Sequence, residues 1–401
     1  MKILRGGITS VNGFLASGVS CGIKKDSKPD LALIFSEKVS AAAGLFTTNR
    51  FIAPPLILTK KNLRKGTGQA VIINSGNANA ATGSRGYEDA LEMGTLTSKE
   101  LGIDSSLVSV ASTGVIGEPL PMEKIRSGIP LVVNGLKKNG GKDAARAIMT
   151  TDIFFKEAAF RGMVGGKEVT VGGIAKGSGM IHPNMATMLA FIVTDATISS
   201  DLLKKSLRKA TDLSFNMITV DGETSTNDMV LCLANGMSGA KEIREDSMEL
   251  EEFQSLLEYV SLSLAKMIVR DGEGATKFVT IIVDNARNFK DAKKIAMSVG
   301  RSLLVKTAFF GEDANWGRFM AAIGYSGVKV DEGKVDIYYG GVKIVDSGTG
   351  AGRRANLLAT RVLKKKEFSV RIDLKAGKEK ATVWTTDLSY DYVRINASYR
   401  S

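Results

Sequence analysis

The sequence predicts a layered α/β fold with mixed sheets, in which apolar strands alternate with amphipathic helices. Short apolar runs such as Met188–Val193 are bounded by turn-forming residues, as buried strands are. Segments between them have helical spacing of apolar residues, and one of these, Gly86–Gly102, ends at a glycine. With 401 residues, 44% of them hydrophobic and 24% charged, the chain is long enough for two lobes or one large α/β unit.

The first half of the chain alternates between the two element types. The predicted elements are, in order, a strand at Asp30–Glu37, a strand at Gln69–Ala80 that ends in a Gly/Asn loop, a helix at Gly86–Gly102, a strand running into a loop over 106–120, a helix within 139–160 that leads to Thr150–Asp152, and an alternating strand over 168–180. The Met188–Val193 strand follows. Each assignment rests on the period of its apolar residues and on the turn residues that flank it.

The second half continues the pattern. The predicted elements are a helix over 199–215 capped by Ser199 or Ser200, an apolar segment over 217–236, a long helix over 248–274, a strand over 277–286, a helix and a strand over 291–311, and strands over 334–348, 367–377 and 380–399. No internal repeat or proline-rich linker marks a lobe boundary, so we assign none from this pattern.

Composition and charge exclude several classes of protein. No apolar run reaches the roughly 18 residues of a membrane helix, and the first residues lack the apolar core of a secretory signal. The net charge of +12 comes from basic residues mixed with acids and not interleaved with aromatics. We interpret it as a solvated basic surface or one that attracts anionic substrates, without a nucleic-acid partner. Cys21 and Cys232 lie outside any metal spacing and predict a reducing, cytoplasmic location.

The chain contains a single histidine, His182. Imidazole metal sites, Ser-His-Asp triads and Cys-His pairs all need histidine, so we expect no metal site and no such triad. His182 precedes a proline in a tight turn, and we interpret it as structural rather than catalytic. The glycine-rich stretch Gly348–Leu358 lacks the third glycine of G-x-G-x-x-G and is interpreted as a turn. Any catalysis therefore falls to hydroxyls, carboxylates, lysines, backbone amides or a terminal amine.

Thr187 stands where a glycine-rich turn becomes a strand, directly after Ala186 and four residues after Pro183. One interpretation is an ordinary β-branched residue at the start of a strand. The other is a latent nucleophile whose hydroxyl attacks the carbonyl of Ala186 and frees a chain that begins at Thr187. Such a terminus carries a hydroxyl and an α-amine with a pKa of about 7.7–8.0, which can serve as its base. The local residues leave both interpretations open.

The surrounding stretch "KGSGMIHPNMATMLAF" resembles the signature of the ornithine acetyltransferase family, also called the glutamate N-acetyltransferase family. Further segments resemble that family in the same order from about residue 44 to the chain end, namely "GLFTTNRFIAPP", "NSGNANAATG", "STGVIGEPLPM", "MTTD", "SFNMITVDGETSTND", "VRDGEGATKF", "GEDANWGRFMAAIGYSG" and "DLSYDYVRINASY". Two departures are small. "TTD" at Thr385–Asp387 stands where the family has a cysteine before the aspartate, and the chain ends in Ser401 instead of a threonine.

The resemblance implies an N-terminal-nucleophile-like enzyme that cleaves itself between Ala186 and Thr187. The resulting α chain would comprise residues 1–186 and the β chain residues 187–401, and two of each would form a heterotetramer. Acetyl would pass from N2-acetyl-L-ornithine to Thr187 and then to L-glutamate by a ping-pong mechanism. Some family members also use acetyl-CoA, which makes it a second candidate donor. No cofactor is implied, because the acetyl group arrives on a small molecule.

The family's functional residues map onto this sequence by motif. The oxyanion hole falls on Thr113 and Gly114, a hydroxyl and a backbone amide aimed at developing negative charge. The implied substrate contacts are Thr150 (or its neighbour Thr151), Lys176, Thr187, Glu273, Asn396 and Ser401. Lys176 would pair with a carboxylate and Glu273 would receive an ammonium group. The alternatives are an N-terminal-nucleophile amidohydrolase or aminopeptidase, and a basic binding protein without catalysis.

Overall fold

The computed structural model of the chain describes residues 1–182 and 188–398. Its strands are β1 Lys2–Leu4, β2 Phe14–Val19, β3 Leu31–Phe46, β4 Thr67–Asn77, β5 Val108–Val115, β6 Lys156–Val164, β7 Lys167–Lys176, β8 Leu189–Thr194, β9 Met229–Ala234, β10 Phe278–Ala286, β11 Asp336–Tyr339, β12 Val342–Asp346, β13 Thr349–Gly350, β14 Glu367–Asp373 and β15 Glu379–Thr386. Its helices are α1 Pro54–Asn62, α2 Gly83–Leu101, α3 Met122–Asn134, α4 Gly141–Ala147, α5 Ser200–Asp212, α6 Met248–Arg270, α7 Phe289–Arg301, α8 Leu303–Phe310, α9 Trp316–Gly324, α10 Arg353–Leu363 and α11 Tyr390–Ser398.

The first sheet places strands from both halves of the sequence side by side. Its order is β1-β6-β7-β8-β9-β3-β4-β5, with β2 paired to β3. The long strand β3 changes partners along its length: its first part pairs with β2 and β4, and Ala41–Phe46 pairs with β9 after an irregularity in register. The pairs β8–β9 and β4–β5 are parallel, whereas β7–β8 and β3–β9 are antiparallel. This is a mixed sheet, as predicted.

The second sheet is built from the C-terminal part of the chain alone, in the order β13-β12-β11-β14-β10-β15. Helices α7 and α10 pack against it, and α6 contacts both β6 and β7 of the first sheet and β15 of the second. The largest cluster of buried apolar residues runs through both sheets and α6. The layered α/β prediction is confirmed, and the two sheets share this buried cluster.

The strands β8 and β9 lie in the middle of the first sheet, and all of their residues are buried. Strands covered on both faces read as continuous apolar runs rather than alternating ones, which is why the sequence made β8 easy to predict. Ser199 accepts a hydrogen bond from Leu202 N and is the cap of α5, one of the two predicted candidates.

Two predicted strands are wrong. The apolar run after α7 was predicted as a strand and is the helix α8, Leu303–Phe310, whose cap Ser302 accepts from Val305 N. The strand predicted over 380–399 ends at Thr386, and Tyr390–Ser398 is the helix α11. The first error follows from a short segment in which six of eight residues are apolar, since periodicity over such a length does not separate helix from strand. The second follows from aromatic and β-branched residues, which favour strands, in a helix with no buried residue.

Candidate active site

A cavity of about 100 Å³ lies at one end of the first sheet, where β5 and β7 end and β8 and β9 begin. Strand pairing places Lys176, Leu189, Met229 and Phe46 in one row across four strands at this end. Six of the predicted site residues line the cavity, namely Thr113, Gly114, Thr150, Lys176, Glu273 and Asn396. Thr151 lines it too. The sheet therefore brings together residues that are up to 283 positions apart in the chain (396 minus 113).

Thr113 and Gly114 lie near the end of β5, beside an irregularity in its pairing with β4. Gly114 has a φ of +133°, and a Cβ at this position would lie 2.3 Å from the carbonyl carbon of Gly76. Only glycine fits such a conformation and such an approach of two backbones. Irregularities of this kind redirect the backbone and side chains at a strand end. Here the irregular strand end borders the cavity.

Lys176, the last residue of β7, extends into the cavity and is almost fully buried. Its Nζ donates to Thr150 Oγ1 at 2.7 Å and to Thr113 Oγ1 at 3.3 Å. Burial lowers the pKa of this ammonium below its ordinary value, with Asp152 acting in the opposite direction. Because Lys176 occupies a lone pair of the Thr113 hydroxyl, that hydroxyl keeps its proton available for another acceptor. The same lysine thus orients both predicted threonines.

Glu273 and Asn396 approach the cavity from outside the first sheet. Glu273 lies just beyond α6, and its backbone N–H donates to Ser178 O at 3.1 Å. A Cβ at Gly179 would lie only 2.3–2.5 Å from the carboxyl atoms of Glu273, so the glycine leaves the room that this carboxylate occupies. Asn396 on α11 donates from Nδ2 to Glu273 Oε2 at 2.8 Å. The C-terminal helix therefore returns to the site through one side-chain contact.

A buried ion-pair cluster supports the cavity from behind. Lys156 Nζ lies 2.6 Å from Asp152 Oδ1 and 2.5 Å from Asp271 Oδ2, and all three side chains are fully buried. Asp152 also accepts from Thr150 N at 2.9 Å and from Gly177 N at 2.8 Å, the amides next to the Lys176 contacts. Burial raises the pKa of Asp152, but the nearby lysines outweigh this effect and hold it below its ordinary value.

Asp228 is a second carboxyl group in the cavity wall. It directly precedes β9 and is 2% exposed, and its backbone carbonyl accepts from Thr47 N at 3.0 Å. Burial raises its pKa well above the ordinary value, and the Ser225 and Thr47 hydroxyls and the Lys176 ammonium only partly oppose this. The charged side chains that line the cavity in the described part of the chain are thus Lys176, Asp228 and Glu273.

His182 lies apart from this cavity. Its Nε2 is 3.1 Å from Arg301 Nη1, and burial together with the positive charges of Arg301 and Lys293 lowers its pKa to about 4. The imidazole is therefore neutral at physiological pH. It lines a different, basic cavity with Lys290, Lys293, Lys294 and Arg301. This placement agrees with a structural role for the histidine.

Three predicted site residues lie outside the described residues: Ala186 and Thr187 at the predicted cleavage site, and Ser401 at the chain end. The residue that follows Thr187, Met188, lines the cavity. Met188 O accepts from Met229 N at 3.0 Å, so the chain enters β8 at the cavity wall.

Sequence reasoning missed four residues of the site: Asp152, Lys156, Asp228 and Asp271. Three of them lie in segments whose family resemblance was noted, "MTTD", "SFNMITVDGETSTND" and "VRDGEGATKF". An aspartate next to an apolar element within such a motif was the available signal, since such a carboxylate is close to buried surface. Lys156 carried no signal, because nothing in the sequence distinguishes it from a surface lysine.

Residues 1–182 and 188–398 contain no group of three or more His, Cys, Asp or Glu side chains placed to hold a metal ion. No helix in that part of the chain has both the length and the apolar character needed to cross a membrane.

Comparisons with known proteins give a consistent result. The model of the ArgJ family matches residues 15–401. The arginine biosynthesis bifunctional proteins ArgJ of Syntrophotalea carbinolica and Geobacter sulfurreducens are each 53% identical to this chain, covering 98% of it and 100% of their own length. Among solved structures, the ornithine acetyltransferase of Mycobacterium tuberculosis complexed with ornithine is 38% identical over 46% of this chain and 99% of that chain, with a TM-score of 0.42. The corresponding ArgJ protein of Bacillus halodurans is 43% identical over 46% of this chain and 97% of that chain, with a TM-score of 0.44.

Proposed function

Because the chain belongs to the ArgJ family, we propose that it transfers acetyl from N2-acetyl-L-ornithine to L-glutamate in arginine biosynthesis. The enzyme is an acyltransferase that exchanges an acetyl group between two amino acids. One observation carries the assignment of the site: six residues mapped by the family resemblance line one cavity, and the residue after the predicted nucleophile lines it as well.

The nucleophile is Thr187, made available by self-cleavage. Its hydroxyl adds to the carbonyl carbon of Ala186 and the peptide C–N bond breaks, which gives an ester and a free α-amine. Water then hydrolyses the ester and leaves the Ala186 carboxylate. In the mature enzyme the α-amine takes the hydroxyl proton as the oxygen attacks the acetyl carbon of acetylornithine. The departing ornithine amine carries that proton away, and the amine of glutamate later attacks the acetyl ester.

Thr113 and Gly114 form the oxyanion hole of both half-reactions. Each half passes through a tetrahedral intermediate whose oxygen carries negative charge. The Thr113 hydroxyl, already accepting from Lys176 Nζ, has its proton to donate to that oxygen. The Gly114 amide lies at the irregular end of β5, where the strand borders the cavity. Donors of this type are worth roughly 2.7–4 kcal/mol each in acyl-transfer enzymes.

The charges of the cavity suit the two amino-acid substrates. In the described residues, no carboxylate forms an ion pair with Lys176. Its ammonium therefore binds the substrate carboxylate, together with the Thr150 hydroxyl. Glu273, held by Asn396, receives the ammonium group. Ser401 supplies a further polar contact from the chain end, and Thr151 is the alternative to Thr150. Oppositely charged groups fixed on the two sides of a cavity orient a zwitterionic ligand.

The two fragments stay associated after cleavage, because the cut falls between neighbouring strands of one sheet. The α chain, 1–186, contributes β7 and β3, and the β chain, 187–401, contributes β8 and β9 between them. Separation would expose two fully buried strands and break two complete strand pairings. An assembly of two α and two β chains and a cytoplasmic location belong to the same proposal, and acetyl-CoA is a second candidate donor.

The transfer reaction separates this function from hydrolysis. Purified protein is incubated with acetylornithine, with and without glutamate, and acetylglutamate, ornithine and acetate are measured. We expect acetylglutamate in proportion to added glutamate and little acetate. Acetate release that does not depend on glutamate would assign the chain to the amidohydrolases instead. An uncut protein that gives neither product and carries no acetyl adduct would favour the alternative of a basic binding protein without catalysis.

Replacement of Thr187 by alanine tests the nucleophile. Thr187→Ala is expected to abolish both cleavage and transfer, because the same hydroxyl carries out both steps. The readouts are a denaturing gel and terminal sequencing, which should find a β chain beginning T-M-L-A-F only in the wild type. The control is Thr194→Ala, a buried threonine at the other end of β8, which should still be cleaved. Cleavage of Thr187→Ala would refute the proposed attack.

A further inference from the structure

Asn227 is a buried side chain of the cavity wall for which the chemistry above has no role. It lies two residues before β9, is 5% exposed and lines the cavity. Its Nδ2 donates to Ala78 O at 2.6 Å and to Ser112 O at 2.9 Å, so both amide protons are used. Its Oδ1 accepts from Thr226 Oγ1 at 2.6 Å. With both protons bonded to backbone carbonyls, the side chain acts on the backbone that it holds.

The carbonyl of Ser112 belongs to the free edge of the first sheet. β5 is the last strand in the sheet order and pairs with β4, and its other edge has no strand partner in the described part of the chain. Side chains supply donors to alternate carbonyls on this edge: Asn62 Nδ2 to Val108 O at 2.9 Å, Thr59 Oγ1 to Val110 O at 2.8 Å, and Asn227 Nδ2 to Ser112 O at 2.9 Å. Such donors are needed because a buried carbonyl without a partner destabilises the fold.

Gly114 is the next position in this series. The backbone groups of successive residues in a strand point alternately to its two edges, so Ser112 and Gly114 face the same edge. The Gly114 amide, a proposed oxyanion donor, therefore lies on the edge that Asn227 holds, and both residues line the cavity. Asn62 and Thr59 act farther back along β5, and neither of them lines the cavity.

The second bond of Asn227 closes a ring around the two proposed oxyanion donors. Ala78, whose carbonyl accepts from Asn227, donates from its own N to Val115 O at 2.9 Å. The ring thus holds Ser112 before the donors and Val115 after them. Between these positions Gly114 has a φ of +133°, outside the regular strand conformation. Asn227 therefore fixes the segment in which the strand conformation is lost.

The backbone on both sides of Asn227 is itself anchored. Thr226 O accepts from Ala53 N, and Asp228 O accepts from Thr47 N, each at 3.0 Å. Asn227 belongs to the predicted β chain, 187–401, whereas the two carbonyls that it holds belong to the predicted α chain, 1–186. The contact therefore ties the end of β5 to the start of β9 across the two predicted fragments.

We propose, resting on the proposed function, that Asn227 is a positioning residue for the oxyanion hole. Its two N–H donors hold the Ser112 and Ala78 carbonyls, so that the Gly114 amide and the Thr113 hydroxyl stay directed at the oxygen of the tetrahedral intermediate. This alignment matters most when negative charge develops on that oxygen. Its loss therefore lowers kcat while the binding of both substrates is kept.

Asn227→Ala removes both donors and tests this role. We expect kcat for transfer to fall about 10- to 100-fold, less than the roughly 100- to 1000-fold that follows removal of an oxyanion donor itself. KM for acetylornithine and for glutamate should stay within about twofold of wild type. Because one hole serves both half-reactions, ornithine release and acetyl transfer to glutamate should slow by the same factor. Single-turnover measurements on the cleaved protein follow the two steps separately.

The matched control is Thr59→Val, which keeps the shape of a buried side chain on the same edge. It also loses two hydrogen bonds, the one to Val110 O and the one from Val110 N at 2.7 Å. The melting temperatures of the two variants should fall by similar amounts, whereas kcat of Thr59→Val stays within about threefold of wild type. Equal losses of kcat in the two variants, or a raised KM with unchanged kcat in Asn227→Ala, would overturn the inference.

A second variant covers failure of Asn227→Ala to fold. Asn227→Asp keeps the shape of the side chain and puts an oxygen in place of the donating nitrogen, so kcat should again fall with KM unchanged. Wild-type kcat in folded Asn227→Asp would overturn the inference. The proposed function is tested separately by the wild type: absence of cleavage or transfer there refutes that function. A normal wild type together with wild-type kcat in the Asn227 variants refutes only the role of Asn227.

Discussion

Two lysines of this chain, Lys176 and Lys306, are buried in closely similar surroundings but differ in what they can do. Lys176, at the end of β7, donates to the hydroxyls of Thr113 and Thr150. Lys306, in α8, donates to the hydroxyls of Thr385 and Thr386. Burial lowers the pKa of both ammonium groups, that of Lys306 to about 7. By burial and pKa alone, either could be a site residue.

The difference lies in how completely each ammonium is satisfied. Lys306 Nζ also donates to the carbonyl oxygen of Thr386, so all three of its N–H groups have partners, and Lys306 lines neither of the two cavities described above. Lys176 uses two donors within the described residues and faces the cavity with the third. A perturbed pKa thus marks burial, and an unused donor beside a cavity marks a binding site.

Replacing each lysine by methionine tests whether the two residues differ in function. Lys176→Met should lower kcat/KM for transfer about 100- to 1000-fold, because it removes the cation proposed to bind the substrate carboxylate and the hydrogen bond that holds Thr113, the proposed oxyanion donor. Lys306→Met should change kcat/KM less than about threefold, since its ammonium touches only β15. Steady-state kinetics on both cleaved variants, with melting temperatures to verify folding, make the measurement. Equal losses of activity in the two variants would remove the distinction.

The pH dependence of the free energy of unfolding tests whether Lys306 loses its proton when it is buried. Lys306 in the folded chain loses its proton near pH 7, whereas an unfolded lysine does so near 10.4. Between these values the unfolded state binds more protons, so the free energy of unfolding rises with pH from about 7 to 10 and is lowest below 7. The expected rise from this residue is on the order of a few kcal/mol.

The free energy of unfolding is measured with denaturant at several pH values on the uncleaved Thr187→Ala protein. Because this protein has no fragments that could separate, its unfolding reports the contribution of Lys306 without a dissociation step. Adding Lys306→Met should flatten the slope between pH 7 and 10. Lys24, whose pKa burial lowers to about 8, contributes in the same direction and remains in both proteins. A slope unaffected by Lys306→Met would mean that Lys306 keeps its proton when buried.

The sequence predicts the centre of the first sheet better than the C-terminal part of the chain, for physical reasons. Strands β8 and β9 are buried on both faces and therefore read as apolar runs with turn residues around them. Helices α8 and α11 were predicted as strands because neither shows a clean helical period: α8 is almost wholly apolar, and α11 lies on the surface with no buried residue. In both, tertiary context decides between helix and strand.

The site was predictable only through family resemblance, and then only in part. Thr113, Lys176 and Glu273 are ordinary residues locally, and their convergence depends on strand order across the first sheet. The cluster of Lys156 with Asp152 and Asp271 joins positions 115 apart in the chain, which no local pattern encodes. Buried ion pairs of this kind depend on the fold, because burying a charge is costly unless the fold places an oppositely charged group beside it.

The smallest expected effect concerns the outer wall of the cavity, where Asn396 holds Glu273. Asn396 is exposed on α11, and its contact with the carboxylate is one hydrogen bond of 2.8 Å. Asn396→Ala should therefore leave the melting temperature unchanged and raise KM for acetylornithine by roughly fivefold, the equivalent of about 1 kcal/mol for one such bond. Ser398→Ala, two residues along the same helix, is the control, because among residues 1–182 and 188–398 its hydroxyl bonds only the Arg394 carbonyl. An unchanged KM in Asn396→Ala would show that Glu273 keeps its position through its backbone bond to Ser178 without Asn396, so that the outer wall, like the surroundings of Lys306, is structural.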